Sequence, residues 1–170
     1  MPKSKIFFLV TLVFPVLVLI LAEIVLRLVG YGIEYHVFVD YPAHEKYLQI
    51  NPDLGRRYFP TQAVRPQTSA DIMLKEKPAN GYRIFVFGGS AAAGYPYYYN
   101  ITFSRMLKDR VDDVFPDHHI EIINMAMPAI NSHSILDLAK RVIPYKPDAF
   151  LIYSGHNEFF GSFGVAHAKV

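Results

Sequence analysis

Three short runs rich in β-branched and aromatic residues, at 82–87, 120–123 and 149–153, alternate with two segments of helical periodicity. That alternation constrains the fold more than any other feature of the chain. Phe103, Met106, Leu107, Val111, Val114 and Phe115 recur at helical spacing, with Thr102 or Asn100 as N-cap and Pro116 ending the run. Ile135, Leu138, Ala139, Val142 and Ile143 mark the second helix, capped by Asn131 or Ser132 and stopped by Pro144. Strands separated by single helices pair in parallel through right-handed crossovers. The expected fold class over residues 81–170 is therefore α/β, a β-α-β-α-β half of a three-layer fold.

The 170 residues leave room for one domain. Part of that length is not globular in character. No residue from Ile6 to Ala22 is charged, and the apolar character resumes after Glu23 and again after Arg27. At about 1.5 Å of rise per residue, a helix of this length crosses a hydrocarbon core of roughly 30 Å. A cleaved signal peptide is the alternative, but Ile20 two positions before Ala22 makes a poor cleavage site, and the helical pattern runs on through Arg27. Residues 1–30 are expected to be an uncleaved anchor, with 6–30 against membrane lipid. Pro15 bends the helix, which a membrane span tolerates. Lys3 and Lys5 precede the span and no Lys or Arg lies between Leu28 and Glu45, so the remainder is expected outside the cytoplasm.

Residues 31–80 read as a connecting region. Pro42, Pro52, Pro60, Pro66 and Pro78 punctuate it, and no periodicity runs long enough to define an element. Its aromatics, among them Tyr35, Phe38, Tyr41, Tyr47, Tyr58 and Phe59, are too many for a disordered tether. The region is expected to pack on the globular part or on the membrane surface.

Several function classes are disfavoured at once. A net charge of +2, scattered along the chain, gives no nucleic-acid footprint. The absence of cysteine removes disulfides, thiolate catalysis and Cys-ligated metal. No histidine pair has the H-x-x-x-H spacing with a carboxylate that a metal site needs. Gly89 and Gly94 match the outer spacing of a phosphate loop, yet Tyr95-Pro96 stands where Lys and Ser/Thr are required, and G-x-G-x-x-G is absent. No cofactor is expected.

Each strand-like run ends in a loop with chemical equipment: Gly88-Gly89-Ser90, then Asn124 through Ala129, then Gly155-His156-Asn157-Glu158. In an open parallel sheet, loops at the carboxyl ends of strands converge on one crevice. A serine in a tight strand-to-helix turn among small residues suits a nucleophile; taken alone it reads equally well as a cap. Together the three loops resemble the SGNH/GDSL hydrolase superfamily, in particular its membrane-anchored branch. They stand in the order of its Gly-Asp-Ser, Asn-x-Gly-x-x-Gly and Gly-x-Asn-Asp blocks, over about residues 82–164.

The resemblance implies a flavodoxin-like three-layer sheet and a serine mechanism. It makes Ser90 the nucleophile and a backbone N–H donor to the oxyanion, Ala129 the second donor, and Asn157 the third through its side-chain amide. Donors of this kind are worth roughly 2.7–4 kcal/mol each in other enzymes. The chain departs from the family at Gly89 (usually Asp), at Ala126 and Ala129 (usually Gly) and at Glu158 (usually Asp). An alanine keeps the N–H, but is strained wherever φ must be positive. The fourth block, Asp-x-x-His, which carries the base, is missing. Of the histidines present, His156 would point away from Asn157 in an extended segment, and His167 follows Gly164, not Asp, at the required spacing. The implied expectation is the N-terminal portion of a membrane-anchored esterase or acyltransferase, inert by itself, acting on an O-acyl ester such as an O-acylated glycan of the envelope. The competing class is a non-catalytic SGNH-like binding or assembly module of an envelope complex.

Overall fold

The computed structural model describes residues 3–29, 31, 34–59, 66–97 and 99–159. The chain divides into two units between Glu34 and Tyr35. The first is built on one helix, α1 (Lys3–Leu28), which contains Pro15. Its stretch Phe7–Leu28 is long and apolar enough to cross a membrane. Near its end Arg27 donates to Glu23 at 2.7 Å, an exposed i,i+4 pair with the acid first, the favourable order on a helix.

The second unit opens with elements that the sequence pattern does not announce. Strands β1 (Phe38–Asp40), β2 (Tyr47–Ile50) and β3 (Ile72–Leu74) form an antiparallel sheet in the order β1-β2-β3. Phe38 lies opposite Ile50, and Leu48 opposite Met73. A single helical turn, α2 (Gly55–Tyr58), follows β2. Residues of this region belong to the main hydrophobic core: Val37, Phe38, Ile50, Leu54, Tyr58, Phe59 and Met73 are all buried there. The proline-rich stretch is thus part of the fold, and of its aromatics Phe38, Tyr58 and Phe59 are core residues.

The parallel sheet consists of β4 (Gly81–Gly88), β5 (His119–Asn124) and β6 (Ala149–Tyr153), in the order β5-β4-β6. The register sets Ile84 beside Ile122 and Val86 beside Leu151. The crossover helices are α3 (Phe103–Val114) and α4 (Ser132–Val142). Thr102 caps α3 by accepting from the Arg105 N–H, and Asn131 caps α4 by accepting from the Ser134 N–H. The α-helix ends at Val142, just ahead of Pro144, as the sequence leads one to expect. Pro144 itself sits within a 3₁₀ turn, Ile143–Tyr145, that prolongs α4, because at the second position of a turn its missing N–H costs nothing.

Alternation along β4 assigns its side chains to two cores. Ile84 and Val86 pack with Ile120 and Ile122 and with Leu107 and Val111 of α3. Phe85 and Phe87 pack on the other side with Ile123, with Ile135, Leu138 and Val142 of α4, and with the β1–β3 region. Both phenylalanines are fully buried, each worth about 1.5–3 kcal/mol relative to exposure.

One polar tie crosses this second core. Arg83 is 1% exposed and donates from Nε to Glu121 at 2.7 Å, from Nη1 to the Tyr145 carbonyl at 2.6 Å, and from Nη2 to the Leu74 carbonyl at 2.8 Å. The second oxygen of Glu121 accepts the Leu74 N–H at 2.7 Å. The pair therefore pins β3 to the edge of β5.

Candidate functional site

The three loops singled out by the sequence meet at the carboxyl ends of the parallel strands. Gly88 closes β4, and a Cβ there would stand 2.2 Å from the Tyr153 carbonyl oxygen and 2.6 Å from the Ala92 Cβ. Only glycine lets the turn pass so close to the neighbouring strand. Gly89 and Ser90 then enter a tight coil, in which the Gly89 carbonyl accepts from the Ala93 N–H at 3.0 Å and the Ser90 carbonyl from the Tyr95 N–H at 2.9 Å. Ser90 is half-buried, and neither its N–H nor its hydroxyl has a hydrogen-bond partner among the described residues.

The second loop is laced to the first. The Met125 N–H donates to the Val86 carbonyl at 2.8 Å and the Met127 N–H to the Gly88 carbonyl at 3.0 Å, continuing the parallel ladder past the end of β5. Ala129 then takes φ = 63°, in the left-handed region where the resemblance has a glycine. Ala126 does not share this conformation; positive φ at a non-glycine residue occurs, among those described, only at Ala129 and Lys146. The Ala129 N–H has no acceptor among the described residues.

Asn157 joins the two. Its amide nitrogen donates to the Ile130 carbonyl at 2.9 Å, and the same atom stands 2.8 Å from the position of a Cβ on Gly89. Asn157 is thus held between the residue before Ser90 and the residue after Ala129. One amide hydrogen is engaged by Ile130 and the other remains for a further acceptor.

Comparison with protein-family models, with curated proteins and with solved structures finds no match. The arrangement has to be weighed on its own geometry.

That geometry rests on Asn124, which is buried and uses every polar group it has. Its amide nitrogen donates to the Ala92 carbonyl at 2.9 Å and to Ser104 Oγ at 3.0 Å, while its Oδ1 accepts the Ala126 N–H at 3.0 Å. Its backbone N–H donates to Asp71 at 2.7 Å and its carbonyl accepts from Ser69 Oγ at 2.7 Å. Asp71, buried in turn, also pairs with Arg105 of α3. Asp71 and Ser69 lie just ahead of a three-residue strand in the proline-punctuated region, where no spacing marks them as supports of a loop more than fifty residues away.

Glu158 has a role that the sequence leaves open. Its carboxylate accepts from the Ser132 N–H at 3.1 Å and from Ser132 Oγ at 2.7 Å, so the third loop is fastened to the amino end of α4, where negative charge is favoured. His156 lies in a turn after Gly155 (φ = 129°), not in an extended segment, and its ring packs against Tyr153 at 5.9 Å between centroids. His167 lies outside the described residues. No group of three or more His, Cys, Asp or Glu among those described is placed to hold a metal ion.

Proposed function

We propose that the chain is a serine-type acyl-transfer module of the kind its three loops resemble, working as a membrane-anchored esterase or O-acyltransferase outside the cytoplasm. The observation that carries this reading is the Asn157 amide, held between Gly89 and Ile130 with Ser90 and Ala129 as the adjoining residues. Among the described residues the N–H groups of Ser90 and Ala129 have no acceptor and the Asn157 amide keeps one hydrogen unused, so on this reading these three receive the carbonyl oxygen as it acquires charge. Preorganised donors of this type act on the transition state more than on the substrate.

In the reaction, the Ser90 hydroxyl attacks the acyl carbon and loses its proton to a base that the described residues do not identify. The carbonyl oxygen becomes an oxyanion received by the N–H groups of Ser90 and Ala129 and by Asn157. Collapse expels the alcohol and leaves an acyl-serine, from which water or a hydroxyl of an acceptor takes the acyl group. The strand order β5-β4-β6, with α3 and α4 in different cores, supports a three-layer flavodoxin-like sheet, whose ligands bind beyond the carboxyl strand ends. An O-acylated glycan fits an anchor that leaves the module on the outer face. The second reading, a non-catalytic binding module, draws its support from the Ser90 hydroxyl, which has no partner among the described residues.

A fluorophosphonate probe applied to the natural protein in its own membrane separates the two. Labelling at Ser90, lost in Ser90→Ala and slowed about 10²–10³-fold in Asn157→Ala, is the expected outcome. A folded protein that takes no label assigns the crevice to binding alone. Orientation has its own test, since the chain lacks cysteine. A Glu45→Cys variant should react with a membrane-impermeant maleimide in intact cells, and protection until the cells are lysed would reverse the orientation.

A further inference from the structure

Two cavities adjoin near the amino ends of β4 and β5, whereas Ser90 follows the carboxyl end of β4. The smaller, about 320 Å³, is a chamber lined by Tyr82, Ile84, Val111, Phe115, His118 and Ile120. The larger, about 600 Å³, is a groove with Tyr41, Tyr47 and Gln49 on one wall and Arg105, Lys108 and Asp112 of α3 on the other. Phe115, His118 and Ile120 line both, so the apolar cavity and the polar groove are immediate neighbours. Each volume lies within the range of roughly 300–1,000 Å³ usual for small-molecule sites.

The polar half has a definite character. Its Arg, Lys, Asp and Glu side chains are already matched: Arg105 pairs with Asp71, Lys108 with Asp112, and Glu121 with the buried Arg83, while His118 and His119 also line the groove, His119 at 3.8 Å from Glu121. A charged ligand group would have to displace one of these partners and leave the other uncompensated, which is costly. Uncharged groups remain. The side chains of Tyr41, Tyr47 and Gln49 make no hydrogen bond among the described residues, and between them they both donate and accept.

The main chain of β5 adds to this set. The His119 N–H donates to the Asn80 carbonyl and the Met125 N–H to the Val86 carbonyl, so odd-numbered residues turn toward β4 and even-numbered ones turn outward. Asn124, facing outward, is satisfied by Asp71 and Ser69. No side chain does the same for Ile120 or Ile122 among the described residues, and both line the groove.

We propose that the two neighbouring cavities together bind an amphiphile that has an uncharged, hydroxyl-rich head and passes between Phe115, His118 and Ile120. Its alkyl chain fills the chamber between Ile84, Val111 and Phe115. Its head hydrogen-bonds along the groove to Tyr47, Gln49 and the free edge of β5. A chain whose first helix is long and apolar enough to cross a membrane meets such molecules. The site stands apart from Ser90 and does not depend on any catalytic role for that residue.

The test is a calorimetric titration of the full chain in lipid nanodiscs, with empty nanodiscs as the reference for bilayer partitioning. The probes are n-octyl β-D-glucoside below its micellar concentration, glucose and octanoate. Saturable binding of the glucoside beyond the empty-disc signal is expected, at least tenfold tighter than either glucose or octanoate. Val111→Phe, which fills the chamber, should weaken it at least fivefold, as should Gln49→Ala on the groove wall. If Val111→Phe fails to fold by circular dichroism, the half-buried Gln49 position decides alone. No excess over empty discs, octanoate binding as tightly as the glucoside, or a folded variant that leaves the affinity unchanged would each overturn the proposal.

Discussion

The side-chain amide nitrogen of Asn157 stands 2.8 Å from where a Cβ on Gly89 would lie, so the third loop closes over the first because residue 89 has no side chain. The adjacent glycine meets a different obstacle. At Gly88 the added carbon would strike the backbone carbonyl of Tyr153 at 2.2 Å, and a strand cannot move aside as a side-chain amide can.

The two alanine substitutions should therefore behave differently. Gly88→Ala is expected to lose about 3 kcal/mol through overpacking against backbone. Gly89→Ala should lose only about 1 kcal/mol, the worth of the Asn157–Ile130 hydrogen bond it displaces. Urea unfolding of both variants checks the order. Equal losses would mean that Asn157 does not yield as the geometry requires.

Ala129 gives a prediction of opposite sign. A non-glycine residue at φ = 63° costs about 1–2 kcal/mol. Glycine removes that strain while returning about 0.4–1 kcal/mol to the flexibility of the unfolded chain. Ala129→Gly should raise stability by about 0.5–1 kcal/mol and Ala129→Val should lower it, both read from the urea midpoint. A marked loss in the glycine variant would show that the alanine methyl packs favourably enough to outweigh its backbone strain.

The parallel sheet was legible in the sequence because its strands are continuous apolar runs and its helices carry a clear face. The read strand at 82–87 differs from Gly81–Gly88 only at its ends, and the run at 120–123 likewise from His119–Asn124. The antiparallel sheet was not legible. Strands of three or four residues such as Phe38–Asp40 and Ile72–Leu74 are too short to display a period of two, and prolines nearby read as breaks. At the site, Ser90, Ala129 and Asn157 stand out only through the resemblance of their three loops to a known set of blocks, since the composition of each loop alone fits a cap or a plain turn as well. Asp71, which accepts from the Asn124 N–H, and Arg105, which pairs with Asp71, act through tertiary contacts that leave no local signature.

Asp137 of α4 supplies a dependence on pH. Burial alone would raise its pKa, but hydrogen bonds from Arg57 at 2.7 Å and from the Tyr58 hydroxyl at 2.9 Å outweigh this, with Arg141 nearby, and hold it at about 2 against an ordinary 3.8. A depressed carboxylate contributes stability above its unfolded pKa and loses it as pH falls through the folded value. The cluster should therefore stabilise the fold fully above about pH 4 and cease to do so near pH 2. Partial exposure reduces the effect to about 1 kcal/mol. Asp137→Asn should remove that acid dependence in urea midpoints taken between pH 4 and 2, and an unchanged slope would refute it.

The ion pair between Arg83 and Glu121 tests how the antiparallel sheet is held. Arg83 is 1% and Glu121 8% exposed, so neither charge reaches water if its partner is removed. Glu121→Ala leaves a buried guanidinium and also orphans the Leu74 N–H, whereas the Arg83 bonds to the Tyr145 and Leu74 carbonyls remain. Breaking one side of such a pair costs about 3–5 kcal/mol. Replacing both partners, as in Arg83→Met with Glu121→Leu, removes the uncompensated charge and should cost clearly less, although the Leu74 N–H still lacks its acceptor. Hydrogen exchange distinguishes attachment from global stability. In the Glu121→Ala protein the amides of β2 and β3 should lose protection before those of β4, because the tie lies between β3 and the edge of β5 and not within the parallel ladder. Uniform loss across both sheets would mean that they unfold as one body, with the pair contributing to the whole core and not to the docking of β3.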